Sequence, residues 1–529
     1  NLQLVFLNGC ATLPQVENLF VHGVPLVIAT AVAIDDARAV QFAERFYQSL
    51  ASGSAIKNAF QSAVAYMQML FGAQFSATIC TRGQYPQFDN SQYMPWGLFV
   101  NDTPQAQAAL QWHLPHQVAP TVARPDDSAT PYRVNSYIVG IIHTMATLDK
   151  TIEQAAYDAN GDPKDERELM GLIIENLPWP IGVQVRLLAT KDDQLDTPSV
   201  ERLKQVVSTY VVAQQFLYYT LLSQIWDVKR QHRTAAEAFR RHSHLNFLSE
   251  SDFNFFDYNF HLLDAARELQ GVGVPFFLKE MDGFVGELQN ANSELHTATQ
   301  YLQALRMRLQ TADTQSLSAN IYQSCADAEY ALAVYLDEIA FLVNYDLITI
   351  RDIHVQNFRY TTPQYNHFLA RLNAKVTDLT VGRTPRPRPF SQLANNASVV
   401  LTPDINDVSK FLNLSPFIVD KNAFGVGLTE DKATEQQLFM YGYRQQDDYK
   451  YFSTQHNIFR AQERTSDQFV TNEGEQGSGD GSNSARNRFL NRTRRPNAAA
   501  TGNDDQQATA SPFATLKQQF TIFSQDLSG

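Results

Sequence analysis

The sequence predicts an incomplete α/β layer at its amino end, then a mostly α-helical region and a small α+β unit. Three observations predict it. Short apolar runs alternate with helical patterns through residues 1–104. Long 3.6-residue periodicities dominate residues 132–344, and strand-like alternation returns in Leu347–Tyr360 and Ser398–Leu401.

Within residues 1–104 the elements follow in order. Leu2–Leu7 (LQLVFL) is a buried parallel strand that ends at Asn8-Gly9-Cys10. Gln15–Phe20 is a short helix, and Pro25–Ile34 (PLVIATAVAI) is a second buried strand. Asp35 then caps a helix that runs to about Ser52, with Ala39, Phe42, Ala43, Phe46, Tyr47 and Leu50 on its apolar face. Gly53 stops it, and the next helix covers Ala55 to about Leu70. Pro95–Val100 (PWGLFV) closes the layer as a strand. A strand that starts at Leu2 with no methionine before it implies neighbours upstream, so a fragment or processed product is expected.

Residues 105–131 are rich in Pro, Gln, Ala and Asp and suit a linker. In the helical region the strongest patterns are Val200–Val228, Pro275 to about Leu309, and Leu317–Val343. Pro178-Trp179-Pro180-Ile181-Gly182 reads as a rigid turn, with VQVRLL after it as a strand. Residues 345–465 form the small α+β unit, and residues 466–512, polar and nearly free of large apolar groups, are expected to be disordered. In 513–529 the residues Phe513, Leu516, Phe520, Phe523 and Leu527, spaced 3, 4, 3 and 4, describe an amphipathic helix that must dock on this chain or another. The aromatic cluster Phe253, Phe255, Phe256, Tyr258 and Phe260 lacks interleaved basic residues and reads as core.

Composition narrows the function. Lys plus Arg is 42 and Asp plus Glu is 55, a net charge of −13, which argues against a general nucleic-acid binder. Three cysteines (Cys10, Cys80, Cys325) cannot build a disulfide framework, and a reducing, cytoplasmic setting is expected. No apolar run reaches the ~18–20 residues of a membrane span, so no membrane is expected. His113 with His116, and His242 with His244, have metal-like spacings but no accompanying Cys or carboxylate set, so no metal and no cofactor are expected. Gly425-Val426-Gly427 fails the dinucleotide fingerprint, with Glu430 in the third glycine position, and no GxxxxGK[ST] loop occurs. Arg486, Arg488, Arg492, Arg494 and Arg495 read as a solvated linker.

Cys10 is the sharpest chemical feature. It stands where a buried strand ends, between small residues, at the carboxyl edge where open α/β sheets place their sites. A thiol needs a base or a positive neighbour to become a nucleophile, and the alternative is a buried cysteine that caps a strand.

Residues 1–104 resemble the second half of a CHAT domain, a bacterial branch of the caspase-like (clan CD) cysteine peptidases. The resemblance runs through LVFLNGCAT (Leu4–Thr12), HGVPLVIATAVAIDD (His22–Asp36), FAERFYQSLASGSAIKNAFQSA (Phe42–Ala63) and PWGLFV, about a fifth of the chain. It implies a caspase-like three-layer sheet and peptide-bond hydrolysis, with a protein or peptide as substrate and Cys10 as nucleophile of a Cys–His dyad. The backbone N–H of Gly9 would hold the oxyanion. Asn8 matches a position that lines the primary specificity pocket; being neutral it does not support a preference for basic side chains, and it reads equally as a strand-end amide satisfying its own turn. Asp35 and Asp36 would shape the pocket wall, or cap the helix they precede.

The sequence departs from the family at one decisive point. The dyad His lies upstream of the Cys in a His-Gly motif, and none of the nine residues before Cys10 is a His. His22-Gly23 follows the Cys, where the family usually carries an apolar or neutral residue. The resemblance also implies a bacterial signalling or defence-like system in which residues 132–465 gate the peptidase or bind a regulatory protein. The contrasting expectation is a non-catalytic caspase-like scaffold for helical partners.

Overall fold

The computed structural model describes residues 2–9, 12–30, 34, 36–51, 54–71, 77–82, 96–114, 122, 124, 132–192, 194–231, 253, 256–310, 315–372, 388–424, 438–445, 447–459, 468–471 and 513–528. The amino-terminal elements are β1 (Leu4–Phe6), α1 (Val16–Val21), β2 (Leu26–Thr30), α2 (Asp36–Ala51), α3 (Ile56–Phe71), β3 (Ala77–Thr81), β4 (Trp96–Val100) and α4 (Pro104–Leu110). The strands form one sheet in the order β1-β2-β4-β3. β1 runs parallel to β2, β2 antiparallel to β4, and β4 parallel to β3.

All five residues of β2 are buried, because successive side chains leave on opposite faces and each face is covered. Leu26 and Ile28 join a core with Phe42, Phe46, Ile56 and Phe60 of α2 and α3. Val27 and Ala29 join another with Val16 and Phe20 of α1. The sheet departs from the expected parallel layer in one respect. β4 does not close it; it lies inside, antiparallel to β2, and the outer strand β3 was not legible in the periodicity. The unbroken apolar run Trp96–Val100 is wholly buried, and Trp96 stacks on Phe42 at 4.4 Å between centroids. Phe99 folds its ring back over Gly97, where an added Cβ would come within 2.6 Å of that ring.

The helical region comprises α5 (Ser136–Gly140), α6 (Ile142–Leu148), α7 (Lys150–Ala156), α8 (Glu166–Asn176), α9 (Trp179–Leu188), α10 (Val200–Gln231), α11 (Tyr258–Gly271), α12 (Met281–Gln289), α13 (Glu294–Gln310), α14 (Gln315–Ala319) and α15 (Ile321–Glu338). VQVRLL is not a strand. It belongs to α9, where Pro180 in the first turn starts the helix and burial of residues 179–185 explains a continuous apolar run. The single pattern Pro275–Leu309 is also two helices. The Ser293 hydroxyl accepts the His296 N–H at 3.0 Å, a cap that starts α13 afresh.

Residues 346–471 build two antiparallel sheets. One, in the order β7-β6-β5-β8-β9, uses β5 (Asp346–Gln356), β6 (Gln364–Arg371), β7 (Arg388–Phe390), β8 (Ser398–Thr402) and β9 (Leu412–Asn413). The other, β10-β11-β12-β13, uses β10 (Ile418–Asp420), β11 (Leu438–Gln445), β12 (Asp448–Ser453) and β13 (Gln468–Val470). β13 falls inside the stretch expected to be disordered, and it is ordered because Phe469 stacks on Tyr451 at 4.6 Å. Residues 472–512, with the arginine cluster, lie outside the described residues.

The last helix, α16 (Ala514–Ser528), docks on this chain. Phe513, Leu516, Phe520 and Phe523 are fully buried. Phe520 stacks on Tyr449 at 4.1 Å, Phe513 on Phe469 at 4.5 Å, and Phe523 meets Trp226 edge-on at 5.3 Å. Polar contacts fix its two ends: Lys517 pairs with Asp448 at 3.1 Å, and Asp526 accepts from Trp226 Nε1 at 2.7 Å and Arg230 Nε at 2.6 Å.

These elements share a core that runs from Val122 to Phe523, with α10 at its centre. Phe253, Phe256 and Tyr258 belong to it, whereas Phe260 is exposed and Phe255 lies outside the described residues. Among the described residues no helix is long and apolar enough to cross a membrane.

Two stability outcomes follow. Phe520→Ala should cost about 3–5 kcal/mol in denaturant unfolding, the usual loss for a buried aromatic. Asp227 on α10 has its carboxyl pushed up to about 6 by desolvation, partly offset by Arg230. Its raised folded pKa makes a contribution that is complete below the ordinary carboxylate range and is lost as pH rises through about 6. Asp227→Asn should therefore raise the melting temperature at pH 7.5 and leave it nearly unchanged at pH 4.

Candidate active site

Because β1 and β2 are parallel, both end at the same edge of the sheet. The ladder continues one residue past β1, where the Leu7 N–H donates to the Ile28 carbonyl at 2.8 Å. The chain then turns through Asn8 and Gly9, and Thr12 brings it back beside the end of β2. Cys10, with Ala11, lies outside the described residues.

Two threonines fasten this turn. The Thr30 N–H donates to the Thr12 hydroxyl at 3.0 Å, and the Thr12 N–H donates to the Thr30 hydroxyl at 3.3 Å. The Thr30 hydroxyl also donates to the carbonyl of Gly9, and the Thr12 hydroxyl approaches the Leu7 carbonyl at 3.4 Å. The backbone on both sides of residue 10 is thus tied to one buried side chain at the end of β2. Sequence reasoning missed both threonines. The signal was present, since Ala-Thr stands after Cys10 and again at Ala29-Thr30, each at a strand's carboxyl end.

Asn8 reaches sideways. Its Nδ2 donates to the Ala39 carbonyl at 3.3 Å, which ties the strand end to the first turn of α2. Asp36 opens that same helix and is exposed, where a carboxylate complements the positive helix end. The structure therefore brings Asn8, Gly9 and the start of α2 to one edge, while Asp35 lies outside the described residues. Among the described residues the Asn8 amide serves a helix carbonyl.

Gly9 is exposed, and its φ is not in the left-handed region. A Cβ there would meet Thr12 Cγ2 at 3.4 Å, an ordinary contact. Neither backbone conformation nor crowding among the described neighbours requires a glycine at this position.

His22 is at the other edge. It follows α1 and precedes β2, and the turn holding it is pinned where Asn101 Nδ2 donates to the carbonyls of Phe20 at 3.2 Å and Val24 at 3.1 Å. The length of β2, four steps of ~3.3 Å or about 13 Å, separates that edge from Thr30 and Gly9. His22 does not share a site with them.

The other two cysteines are core residues. Cys80 on β3 is 4% exposed, and burial pushes its thiol up. Cys325 on α15 is 0% exposed, with its Sγ 3.5 Å from the Ser199 carbonyl, and burial pushes its thiol up to about 11. Among the described residues no group of three or more His, Cys, Asp or Glu is placed to hold a metal ion. His116, His242, His244 and Gly425-Val426-Gly427 lie outside them.

Residues 1–101 match the family model described as the CHAT domain. That family is of the caspase-like peptidase type, as the motifs of residues 1–104 implied. No curated protein and no solved structure matches the chain.

The threonine clamp has a measurable weight. Thr30→Val keeps the shape but leaves the Gly9 carbonyl and the Thr12 N–H without their partner, at a cost of about 1–3 kcal/mol in unfolding. Thr30→Ser keeps the hydroxyl and should recover most of that loss.

Proposed function

We propose that the CHAT-type unit is a cysteine endopeptidase with Cys10 as its nucleophile, acting on a protein or peptide. The observation that carries this reading is the turn on which Cys10 stands. It leaves the carboxyl edge of two parallel strands and is tied on both sides to Thr30. A nucleophile must be held still while its substrate approaches, and such a tether restricts the turn. In this reading the sheet, with helices on both faces, is part of a caspase-like three-layer fold.

The thiolate attacks the scissile carbonyl carbon, and the carbonyl oxygen becomes the oxyanion, held by the Gly9 N–H. Collapse of that intermediate expels the amine, which takes up a proton, and water then releases the acid from the thioester. The base is a histidine upstream of the nucleophile's strand, where the resemblance puts it, since His22 stands at the wrong edge. Glycine at position 9 suits this role, because among the described residues a Cβ there would meet nothing nearer than Thr12 Cγ2 at 3.4 Å. Asn8 and the start of α2, with Asp35 and Asp36, wall the pocket for the substrate side chain. Residues 132–465 gate this activity or bind its regulatory partner, in a bacterial signalling or defence-like system.

The test is an activity-based thiol probe on the natural gene product. Labelling at Cys10, lost in Cys10→Ala, is expected; Cys80 and Cys325 should stay silent until the chain is unfolded, since both are buried. Gly9→Ala should fold with a melting temperature close to the parent and lower peptide cleavage by about 10²-fold, the order expected when a reacting group is displaced by ~1 Å. Native labelling confined to Cys80 or Cys325, or full cleavage in Cys10→Ala, would sink the peptidase reading and favour the non-catalytic scaffold.

A further inference from the structure

The connection from β7 to β8 has to cross the five-stranded sheet. In the order β7-β6-β5-β8-β9 two strands separate its ends, so residues 391–397 pass over β6 and β5 on one face. Ala394 marks that face. With Ile353 of β5 and Leu369 of β6, it packs against the buried Ile348, Ile350 and Val400. The crossing segment is thus a strap that roofs a small apolar core.

One side chain fastens the strap at its middle. His367 on β6 is fully buried, and its two ring nitrogens meet different backbone partners. Nδ1 lies 2.9 Å from the Tyr365 carbonyl, which only accepts, so Nδ1 carries the proton. The Ala394 N–H donates to Nε2 at 3.0 Å, so Nε2 offers a lone pair. A proton on Nε2 would set donor against donor; the charged ring and the fastened strap exclude each other. Burial holds the imidazole below its ordinary value, an effect the bond to the Tyr365 carbonyl partly offsets. The strap is also held against its own backbone preference, because Ala397 at its end has φ 51°, which a Cβ disfavours. The surrounding charges are few. Residues 391–397 contain no ionisable group, and Phe390 meets the imidazole edge-on at 5.0 Å. Opposite His367 on β7 is Arg388, which donates to Asn406 at 2.8 Å. Opposite it on β5 is Ile353, flanked by Asp352 and His354, which pair at 2.9 Å and alternate to the other face. Asp346 and Arg371 pair at the far end of the strap's face, and Asp404, Asp407 and Lys410 pair in the segment carrying Ile405 and Phe411.

We propose that residues 391–397 are a proton-released strap: neutral His367 latches it at Ala394, and a proton taken from solvent by Nε2 unlatches it. In the open form Ile350, Ile353 and Leu369 lose their cover. The open form's imidazole titrates in the ordinary histidine range, and the closed form's below it. The closed form therefore binds fewer protons. Closure is complete above the ordinary range and weakens as pH falls from there to the lower, closed-form value. Across that window the open fraction rises by up to ~10-fold per pH unit. The device needs no peptidase activity.

Hydrogen exchange of the whole chain tests this at pH 7.5 and pH 5, read by mass spectrometry on peptides covering 391–397 and corrected for intrinsic rates. Protection of the strap is expected to fall by ~10-fold or more at pH 5, while β11 and β12 keep theirs. Two substitutions separate the latch from general loosening. His367→Gln retains an acceptor for the Ala394 N–H and has no proton to gain, so its strap should stay protected at both pH values. His367→Asn retains a donor for the Tyr365 carbonyl but is too short to reach Ala394, so its strap should be loose at both. The proposal is overturned if the parent strap keeps its protection at pH 5, or if β11 and β12 lose theirs with it. It is equally overturned if His367→Gln loosens on acidification as the parent does, or if His367→Asn is as protected as the parent at pH 7.5.

Discussion

Burying α10 on every side is the constraint from which the rest of the larger unit follows. Residues 205–225 of this helix are all buried, so each polar group along it must find a partner inside the protein. Much of the surrounding structure answers that demand. Gln205 donates to the Gln184 side chain at 2.9 Å and Ser208 to the same oxygen at 2.8 Å, while Gln184 donates to the Thr454 and His456 carbonyls. Gln215 and Tyr219 both donate to the Tyr441 carbonyl, at 2.8 and 2.7 Å. Near the helix start Arg202 pairs with Glu329 of α15, both fully buried, and Tyr132 donates to the same carboxylate at 2.7 Å. Helices and sheets far apart in sequence are therefore joined through one helix, and a truncation between them would strand buried polar groups.

A different economy governs the amino-terminal sheet. Its cores are apolar and local, and its polar contacts collect at the two edges. At one edge Asn101 holds the turn that leads into β2; at the other Thr12 and Thr30 hold the turn that leaves β1. This division is what places Asn8 and Gly9 together with the start of α2, and what sends His22 to the opposite side. His22 follows the β1 turn closely in sequence, but strand direction places it at the opposite edge from Thr30 and Gly9. The chain carries it the length of a strand away from Thr30 and Gly9.

Much of this was legible before any coordinates, and the reasons are physical. α2 and α3 announced themselves because their apolar residues repeat at the helical period with Asp or Gly at their ends, and β1 and β2 because each is a short apolar run bounded by turn residues. α16 was legible for the same reason, and its five apolar positions also implied a dock. The failures share a cause as well. An unbroken apolar run reports burial on all sides but not the element that is buried, so VQVRLL passed for a strand inside α9. A pattern that stays in phase across a short break hides the break, as at Ser293 between α12 and α13. β3 and β13 are too short to show a period, and only their neighbours make them strands.

The sequence by itself determined which segments can bury themselves and where most of the helices begin and end. Those properties belong to local side-chain spacing and to the motifs that resemble the CHAT family. Only the tertiary structure decided strand direction, which edge each turn occupies and where the terminal helix docks. Each of these is set by contacts between residues tens to hundreds of positions apart, and a one-dimensional periodicity carries no term for them. Thr12 and Thr30 show the boundary most plainly: both are visible as residues, but their meaning lies in the 3.0 Å between a hydroxyl and an N–H that only the folded sheet brings together.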